Sequence, residues 1–454
     1  MRAYLHSVYA DPKRVFSTGS IVAGYRKTSK RSKWKSSTQA FGANLFVNAS
    51  KESQDLLSGR WHPKGFQEFN IVERGKPRHI KSVKISEKCV QAALCNECLI
   101  PIIQPSLIYN NGACLPGKGT DFSLHRLTED LRWHYRHYGM SGGIFIFDFH
   151  SYFDSIPHRE VEEMMRAAID NNDICRVYNQ CVDAFDSGEI IGKGLGLGSQ
   201  VSQITAISYP NKMIDHWVKD ALGIHCFGRY NDDGYLICNS IDRLEEIKVQ
   251  FTRRASILGI EMNDKKCRII EFGKTFTFLK VRFSVTESGE VVKKPNKKSV
   301  AKEHVKLRKL KCLMTDGKKP FAEIHQEFHS WLCSQNKGCS FFVMVNMIAY
   351  FDELFKDNGG YVPPIKGKKR QKKRYHQLRY AKKLAAKKLV NLERTSRSRH
   401  LRCQHSHRAE CTNLIKRVII KVRTAFAART FVDMKDSRRR HRRRLSAGRT
   451  RQVK

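Results

Sequence analysis

The sequence contains no uncharged apolar run that approaches the roughly 18 to 20 residues of a membrane-spanning helix. Its first residues, Met1–Ala10, also lack the basic segment followed by an apolar one that is typical of a secretion signal. The 14 cysteines are scattered with little paired spacing, which is typical of reduced thiols rather than of a secreted disulfide framework. These absences argue against membrane-spanning and secreted classes, and we expect a cytoplasmic protein.

Acidic residues are scarce, because 43 Asp and Glu stand against 84 Lys and Arg, a formal net charge of +41. Such an excess indicates a polyanionic partner, and charge alone leaves nucleic acid and an acidic membrane surface both open. The excess is concentrated in residues 361–454, where 32 Lys and Arg against 4 Asp and Glu give a net charge of +28. This composition predicts a basic, partly disordered tail.

The residues before this tail carry the patterns that predict regular structure. At 454 residues and 41% hydrophobic content, the chain is long enough for about three domains with real cores. Alternation predicts β-hairpins at residues 66–83 and 226–238, and an apolar run predicts a buried strand at residues 143–148. Residues 86–101 read as a helix, as do several later segments. Strands and helices therefore interleave, and we expect an α+β fold.

Three aspartates occupy positions that suit catalytic metal ions. Asp148 ends the predicted buried strand, and Asp232 and Asp233 lie at the tip of the second hairpin. Unpaired carboxylates in such an apolar setting are costly, so a compensating cation is expected. Two Mg²⁺ ions, which prefer oxygen ligands, support nucleotidyl transfer when they lie roughly 3.5 to 4 Å apart. An Asp-Asp pair on its own is also a common turn sequence.

Four segments in this order resemble the motifs of reverse transcriptases. Phe147–Ile156 looks like motif A, Leu197–Gln203 like motif B, Tyr230–Asp233 like the Tyr-X-Asp-Asp motif C, and Leu258–Lys266 like motif D. Phe276–Phe283 lies where that family has its primer-grip hairpin. The resemblance covers roughly residues 60 to 355.

This resemblance implies a right-hand polymerase with fingers, a palm built on an RRM-like sheet, and a helical thumb. The implied boundaries are an N-terminal extension at 1–60, fingers and palm at 61–285, a thumb at 286–360 and the basic tail at 361–454. The implied activity is synthesis of cDNA from an RNA template and primer with deoxynucleoside triphosphates and two Mg²⁺ ions. No membrane partner is implied.

The resemblance also implies roles for individual residues. Asp148, Asp232 and Asp233 would be catalytic and would bind the metal ions together with the backbone of Phe149. The Arg fork of Arg78 and the Lys76 ammonium would meet the triphosphate, and the ring of Phe153 would exclude a ribose 2′-hydroxyl. The remaining nucleotide-binding candidates are Leu197, Gly198 and Lys266, and the primer-grip candidates are Phe278 and Leu279.

Motif B indicates a subtype. Its form, with Leu197-Gly198 followed by Ser202-Gln203, resembles the error-prone bacterial enzymes of diversity-generating retroelements. Those enzymes are related to group II intron reverse transcriptases, and a small accessory protein would then be a partner. An antiphage-defence or intron-like enzyme, and a noncatalytic RNA-binding protein with a polymerase-like palm, stay open.

Two groups of metal-ligand residue types carry weaker signals. Cys95 and Cys98 lie in an apolar helical segment without a matching pair nearby, so we expect buried structural thiols. The tail holds a denser group whose spacing matches no common zinc finger: His400, Cys403, His405, His407 and Cys411.

Overall fold

The computed structural model describes residues 8–73, 76–185, 192–335 and 341–361, except for the side chains of residues 71–79, 341 and 342. The chain divides into two units, Met1–Tyr361 and Val362–Lys454. The second unit, which contains nearly all of the predicted tail and its His/Cys group, lies outside the described residues. Tyr361, the last described residue, is buried in the first unit.

Helices and strands interleave along the first unit, which confirms the α+β prediction. The helices are α1 Pro12–Val15, α2 Thr18–Thr28, α3 Ser36–Ala43, α4 Leu45–Leu57, α5 Ile85–Leu94, α6 Ile100–Ile103, α7 Thr120–Tyr138, α8 Tyr152–Ser155, α9 His158–Ala168, α10 Asn172–Asp183, α11 Gln200–Ser208, α12 Ile241–Ile257, α13 Lys297–Thr315, α14 Phe321–Gln335 and α15 Phe341–Leu354. The strands are β1 Phe66–Glu73, β2 Lys76–Val83, β3 Gly143–His150, β4 Phe227–Tyr230, β5 Asp233–Cys238, β6 Glu261–Met262, β7 Arg268–Glu271, β8 Phe276–Phe278, β9 Val281–Val285 and β10 Val291–Pro295.

The central sheet is antiparallel and has the strand order β4-β5-β3-β6, with β7 also paired to β3. Strand β3 is buried along most of its length, as its run of Gly, Ile and Phe predicts. The predicted hairpins at residues 66–83 and 226–238 are both present. The sheet therefore places the end of β3 beside the turn between β4 and β5.

The segment predicted as a helical thumb begins with a strand. Residues 291–295 form β10, which pairs with β9 in a separate sheet of order β10-β9-β8. The first helix of the segment starts only at Lys297. The sequence signal for β10 is weak because Lys293 and Lys294 interrupt its apolar residues, and the pairing with β9 supplies the missing stabilisation.

The N-terminal helices share a core with the central sheet. Phe16 and Trp61 belong to the same buried cluster as Phe147 on β3 and Phe251 on α12. A second cluster covers the opposite side of the sheet and includes Tyr235 of β5. The described part of the predicted N-terminal extension, residues 8–60, is thus continuous in packing with the residues that follow it.

Asp130 on α7 ties this helix to the hairpin of β4 and β5. Its carboxylate accepts hydrogen bonds from the Tyr235 hydroxyl at 2.8 Å and from Asn110 Nδ2 at 3.1 Å, and Arg126 lies 3.4 Å away. Burial raises the pKa of Asp130 to about 6, although the hydrogen bond from Tyr235 and the charge of Arg126 oppose the shift. The carboxylate thus anchors one face of the hairpin.

The two cysteines of the Cys-x-x-Cys pair agree with the expectation of buried thiols. Cys95 and Cys98 are both buried, and burial raises the pKa of Cys98 to about 12, which makes it an unreactive core thiol. Across the ranges that the structure describes, none of the helices has both the length and the apolar character that a bilayer crossing requires.

Candidate active site

The pairing of β3 with β5 brings two of the predicted carboxylates together. Asp148 lies directly opposite Asp233 in the antiparallel register, and Asp148 is only 3% exposed. The backbone N–H of Phe149 donates a hydrogen bond to the carbonyl oxygen of Asp232 at 3.1 Å. The sheet therefore places Asp148 opposite Asp233 and the Phe149 backbone beside that of Asp232.

The turn that carries the two adjacent aspartates depends on Asn231. Tyr230 pairs with Asp233, so Asn231 and Asp232 form a two-residue turn. Asn231 has a φ of +53°, in the left-handed region that Asn tolerates better than most residues. The left-handed backbone conformation therefore explains why an asparagine lies between the tyrosine and the aspartates.

The Asp233 carboxylate feels the negative charge of both Asp148 and Asp232. Burial, followed by the charge of Asp232 and the hydrogen bond to Asp148, raises the pKa of Asp233 to about 7. Burial and the charge of Asp148 also raise the pKa of Asp232. Like charges this close in a buried site favour a bound cation.

Two residues after β6 hold Asp148 in place. Asn263 donates from Nδ2 to Asp148 Oδ1 at 2.9 Å and from its backbone N–H to the Asp148 carbonyl oxygen at 2.8 Å. Lys266 Nζ lies 2.6 Å from Asp148 Oδ2. Burial lowers the pKa of Lys266, but the bond to Asp148 and the neighbouring carboxylates outweigh it, so the pKa is raised. Lys266 balances part of the carboxylate charge.

These carboxylates suit a hard divalent cation, because oxygen donors are the ligands that such ions prefer. The described residues nevertheless contain no group of three or more His, Cys, Asp or Glu side chains converged as a metal-binding cluster. Asp148 and Asp233 are juxtaposed, while Lys266 holds one oxygen of Asp148. The donor chemistry fits a divalent ion, and Lys266 occupies an oxygen that such an ion would share.

Arg229 is a component of the site that the sequence analysis missed. Its guanidinium is fully buried and binds Asp215 at 2.6 Å, the Ile207 carbonyl oxygen at 2.7 Å and the Asn231 carbonyl oxygen at 3.0 Å. It therefore joins the turn of the aspartates to α11. The sequence does show an arginine immediately before the motif C tyrosine. Its partner Asp215 is distant from the motif in sequence, so the pairing was not evident.

The motif B loop, which comprises residues 192–199 and includes the start of motif B, reaches both motif A and the β1–β2 hairpin. The Leu195 N–H donates to the Phe153 carbonyl oxygen at 2.7 Å, and Phe153 is half-buried. A side chain at Gly198 would place Cβ 3.1 Å from the Lys81 carbonyl oxygen, so only a small residue fits comfortably. Leu197 is 48% exposed.

The remaining predicted residues belong to the β1–β2 hairpin and to the turn between β8 and β9. Lys76 and Arg78 lie on β2, but their side chains are outside the described part of the chain. Phe278 is buried against Tyr235, with ring centroids 5.3 Å apart, so its side chain is a core residue. Leu279 and Lys280 form the turn after it with φ of +45° and +69°. The primer-grip role of Phe278 and Leu279 stays a prediction.

Comparison with known families identifies the segment that contains this site. Residues 68–291 match the family described as reverse transcriptase (RNA-dependent DNA polymerase). The chain therefore contains a reverse transcriptase domain, the domain of RNA-directed DNA polymerases, which are nucleotidyltransferases. Enzymes with this domain generally use divalent metal ions. A comparison with curated proteins finds no match.

Solved structures of telomerase are similar to parts of the chain. Apo telomerase from Candida tropicalis, truncated from its C-terminal domain, has a TM-score of 0.39 and 13% identity over 50% of this chain and 55% of that chain. Telomerase from Candida albicans, in complex with a TWJ fragment of telomeric RNA, has a TM-score of 0.38 and 10% identity over 65% of this chain and 62% of that chain. The chain thus spans less than two thirds of the length of either telomerase.

Substitution of Asn231 tests the geometry of the turn. Asn231→Val should lower the free energy of unfolding by about 1 to 2 kcal/mol, because a β-branched residue is strained at positive φ. Asn231→Gly should leave it within about 0.5 kcal/mol of wild type, because Gly adopts this conformation freely. Urea unfolding of both variants measures the difference, and equal stabilities would show that the turn does not require a left-handed residue.

Proposed function

We propose that this chain is an RNA-directed DNA polymerase that uses two Mg²⁺ ions at Asp148, Asp232 and Asp233, with the Phe149 backbone as a further ligand. The observation that best supports this proposal is the pairing register of β3 and β5, which sets Asp148 opposite Asp233 inside the matched reverse transcriptase segment. Divalent ions there would activate the primer 3′-hydroxyl and stabilise the leaving pyrophosphate. RNA template, primer and deoxynucleoside triphosphates are the proposed substrates, and cDNA is the product.

The chain's own residues would orient these substrates. Asn263 holds Oδ1 of the Asp148 carboxylate, and Lys266 holds Oδ2. Oδ2 is therefore the oxygen at which a divalent ion would replace the Lys266 ammonium. Lys266 would then be released toward the nucleotide, where its ammonium could meet phosphate oxygens. Lys76 and Arg78 of β2 are the proposed triphosphate contacts, since Arg binds phosphate through two parallel hydrogen bonds.

Neutralising one carboxylate tests the metal assignment. Asp148→Asn or Asp232→Asn should reduce primer extension by about a thousandfold, because divalent ions contribute several kcal/mol to stabilising the transition state. The assay measures incorporation of labelled deoxynucleotides on a primed RNA template with Mg²⁺. Asp170→Asn, an exposed position away from the sheet, is the matched control and should extend normally.

Binding of the same RNA separates loss of chemistry from loss of structure. Both active-site variants should still bind RNA and unfold cooperatively. Full extension by Asp148→Asn would refute the metal assignment. RNA binding without any incorporation by the wild-type protein would instead favour a noncatalytic RNA-binding role.

We further propose that Phe153 selects deoxynucleotides. Its carbonyl oxygen accepts a hydrogen bond from the N–H of Leu195, which lies just before motif B, and its half-buried ring packs edge-on to Tyr152 with ring centroids 5.8 Å apart. A ring held this firmly can exclude a 2′-hydroxyl by contact.

Phe153→Val should therefore raise ribonucleotide use relative to deoxynucleotide use by about 10- to 100-fold, because relieving one steric clash is worth about 1 to 3 kcal/mol. Phe153→Tyr keeps the ring and should keep the discrimination. The ratio of kcat/KM for a deoxynucleotide and its ribonucleotide measures the effect. Unchanged discrimination in Phe153→Val would place the selecting group elsewhere.

We propose, as the finer assignment, an error-prone bacterial enzyme of the diversity-generating type that works with a small accessory protein in the cytoplasm. The supporting observation is Leu197, an exposed apolar side chain at the tip of the motif B loop. An apolar side chain there offers no hydrogen bond to check the incoming base pair.

Leu197→Gln should lower misincorporation opposite template adenine by about 2- to 10-fold, the effect of one added hydrogen bond. Leu197→Met is the matched apolar control and should misincorporate like wild type. Sequencing of products copied from an adenine-containing RNA measures the error rate. Absence of an adenine bias in the wild-type enzyme would favour a defence or intron-like role.

A further inference from the structure

A basic cavity lies apart from the carboxylates, between the N-terminal helices and the base of the β1–β2 hairpin. Its volume is about 460 Å³, and its walls come from residues 32–48, from Gln67 and from residues 82–88. None of the residues assigned above to metal, nucleotide or primer lines it. The cavity therefore needs an explanation of its own.

Three lysines line the cavity, Lys35, Lys84 and Lys88, and none of the described residues in its wall is acidic. Lys88 Nζ donates to the Ser82 hydroxyl at 3.1 Å. Burial and the nearby charge of Lys35 lower the pKa of Lys88. The ion pairs found among the described residues involve other lysines. The wall thus holds positive charge without a balancing carboxylate.

Backbone groups add to this positive potential. Helix α3 begins directly after Lys35 and α5 directly after Lys84, and neither N-terminus is capped by a side chain. The first N–H groups of a helix have no partner within the helix, and the helix dipole makes this end attractive to anions. Both helix starts border the cavity in addition to the lysines, and hydroxyls of Ser82 and Ser86 line it as well.

We propose that this cavity binds the phosphodiester backbone of an RNA strand. Phosphate oxygens match the combination of ammonium, hydroxyl and helix N-terminal donors. Phe41, the aromatic ring in the wall, already packs against Tyr25 at 5.7 Å, which favours backbone contact over base stacking. The choice of RNA rests on the proposed function, and the site extends the strand's contacts beyond the carboxylates to the N-terminal helices.

Neutralising the three lysines tests the site. In the full-length protein, Lys35→Gln/Lys84→Gln/Lys88→Gln should flatten the slope of log K against log salt by about 2, since each phosphate contact on a single strand contributes about 0.7. Between 50 and 200 mM KCl, the wild-type affinity should therefore fall about 20-fold more than that of the variant. Fluorescence anisotropy with a labelled single-stranded RNA measures both.

A second triple variant controls for net charge. Lys248→Gln/Lys274→Gln/Lys318→Gln loses the same charge from lysines that already pair with Glu245, Glu271 and Asp316. It should keep a wild-type slope. Equal slopes in both triple variants, or in the cavity variant and wild type, would overturn the proposal.

Ser82→Asp separates loss of the site from loss of folding. A carboxylate beside Lys88 should leave the melting temperature unchanged or raise it, and should weaken RNA binding about tenfold. The neutral variant Ser82→Asn should bind nearly as wild type does. Ser82→Asp that binds RNA normally would refute the site, whereas a merely structural role would lower stability and binding together.

Two comparisons identify the ligand of the cavity and separate the cavity proposal from the proposed polymerase activity. If millimolar deoxynucleoside triphosphate stabilises the wild type but not the lysine triple variant, while RNA slopes are equal, the cavity is a nucleotide site and the RNA assignment is wrong. The slope measurement needs no turnover. A flattened slope in the triple variant would thus support the cavity even if the wild type extended no primer and the proposed polymerase activity failed.

Discussion

The antiparallel register between β3 and β5 is the constraint on which the site depends. A slip of one residue would turn every side chain of β3 to the opposite face and move Asp148 away from Asp233. Gly234 helps to fix this register, because a Cβ there would lie only 2.0 Å from the ring of Phe147 on the facing strand. The glycine after the two aspartates therefore makes room for the ring that precedes Asp148, and the two segments are complementary in shape as well as in charge.

A buried ion pair also holds the hairpin of β4 and β5 in place. Arg229 and Asp215 are both fully buried, and removing one partner of such a pair typically costs about 3 to 5 kcal/mol because the other charge is left uncompensated. Arg229 also binds the carbonyl oxygen of Asn231, so the pair supports the turn that presents the aspartates. Asp130 holds the hairpin through Tyr235. Polar contacts from two helical segments thus position a short turn whose own backbone includes a left-handed residue.

The sequence was sufficient for features that local patterns encode. The buried strand before Asp148 and both hairpins follow from apolar runs that end in turn or acidic residues, whereas the grouping of Asp148 with Asp232 and Asp233 was expected from the resemblance to reverse transcriptases. It was insufficient where distant partners decide. Strand β10 depends on β9, Arg229 depends on Asp215, and the role of Asn263 depends on β6 lying beside β3. Phe278 is similar, because its position in a hairpin was evident but its burial against Tyr235 was not.

The carboxylate site and the lysine-lined cavity both carry an unbalanced charge. At the carboxylates, the ammonium of Lys266 compensates one oxygen of Asp148, and a divalent ion would have to compete with it. Because Asn263 holds the other oxygen, exchange of Lys266 for a metal ion need not move the strand. In the cavity, the imbalance has the opposite sign, and no described wall residue can neutralise it. The RNA strand proposed for the cavity would supply the negative charge that these lysines lack. Under the proposed function, an RNA strand would neutralise the lysines of the cavity and divalent ions would neutralise the carboxylates, so the proposed substrates would relieve both imbalances.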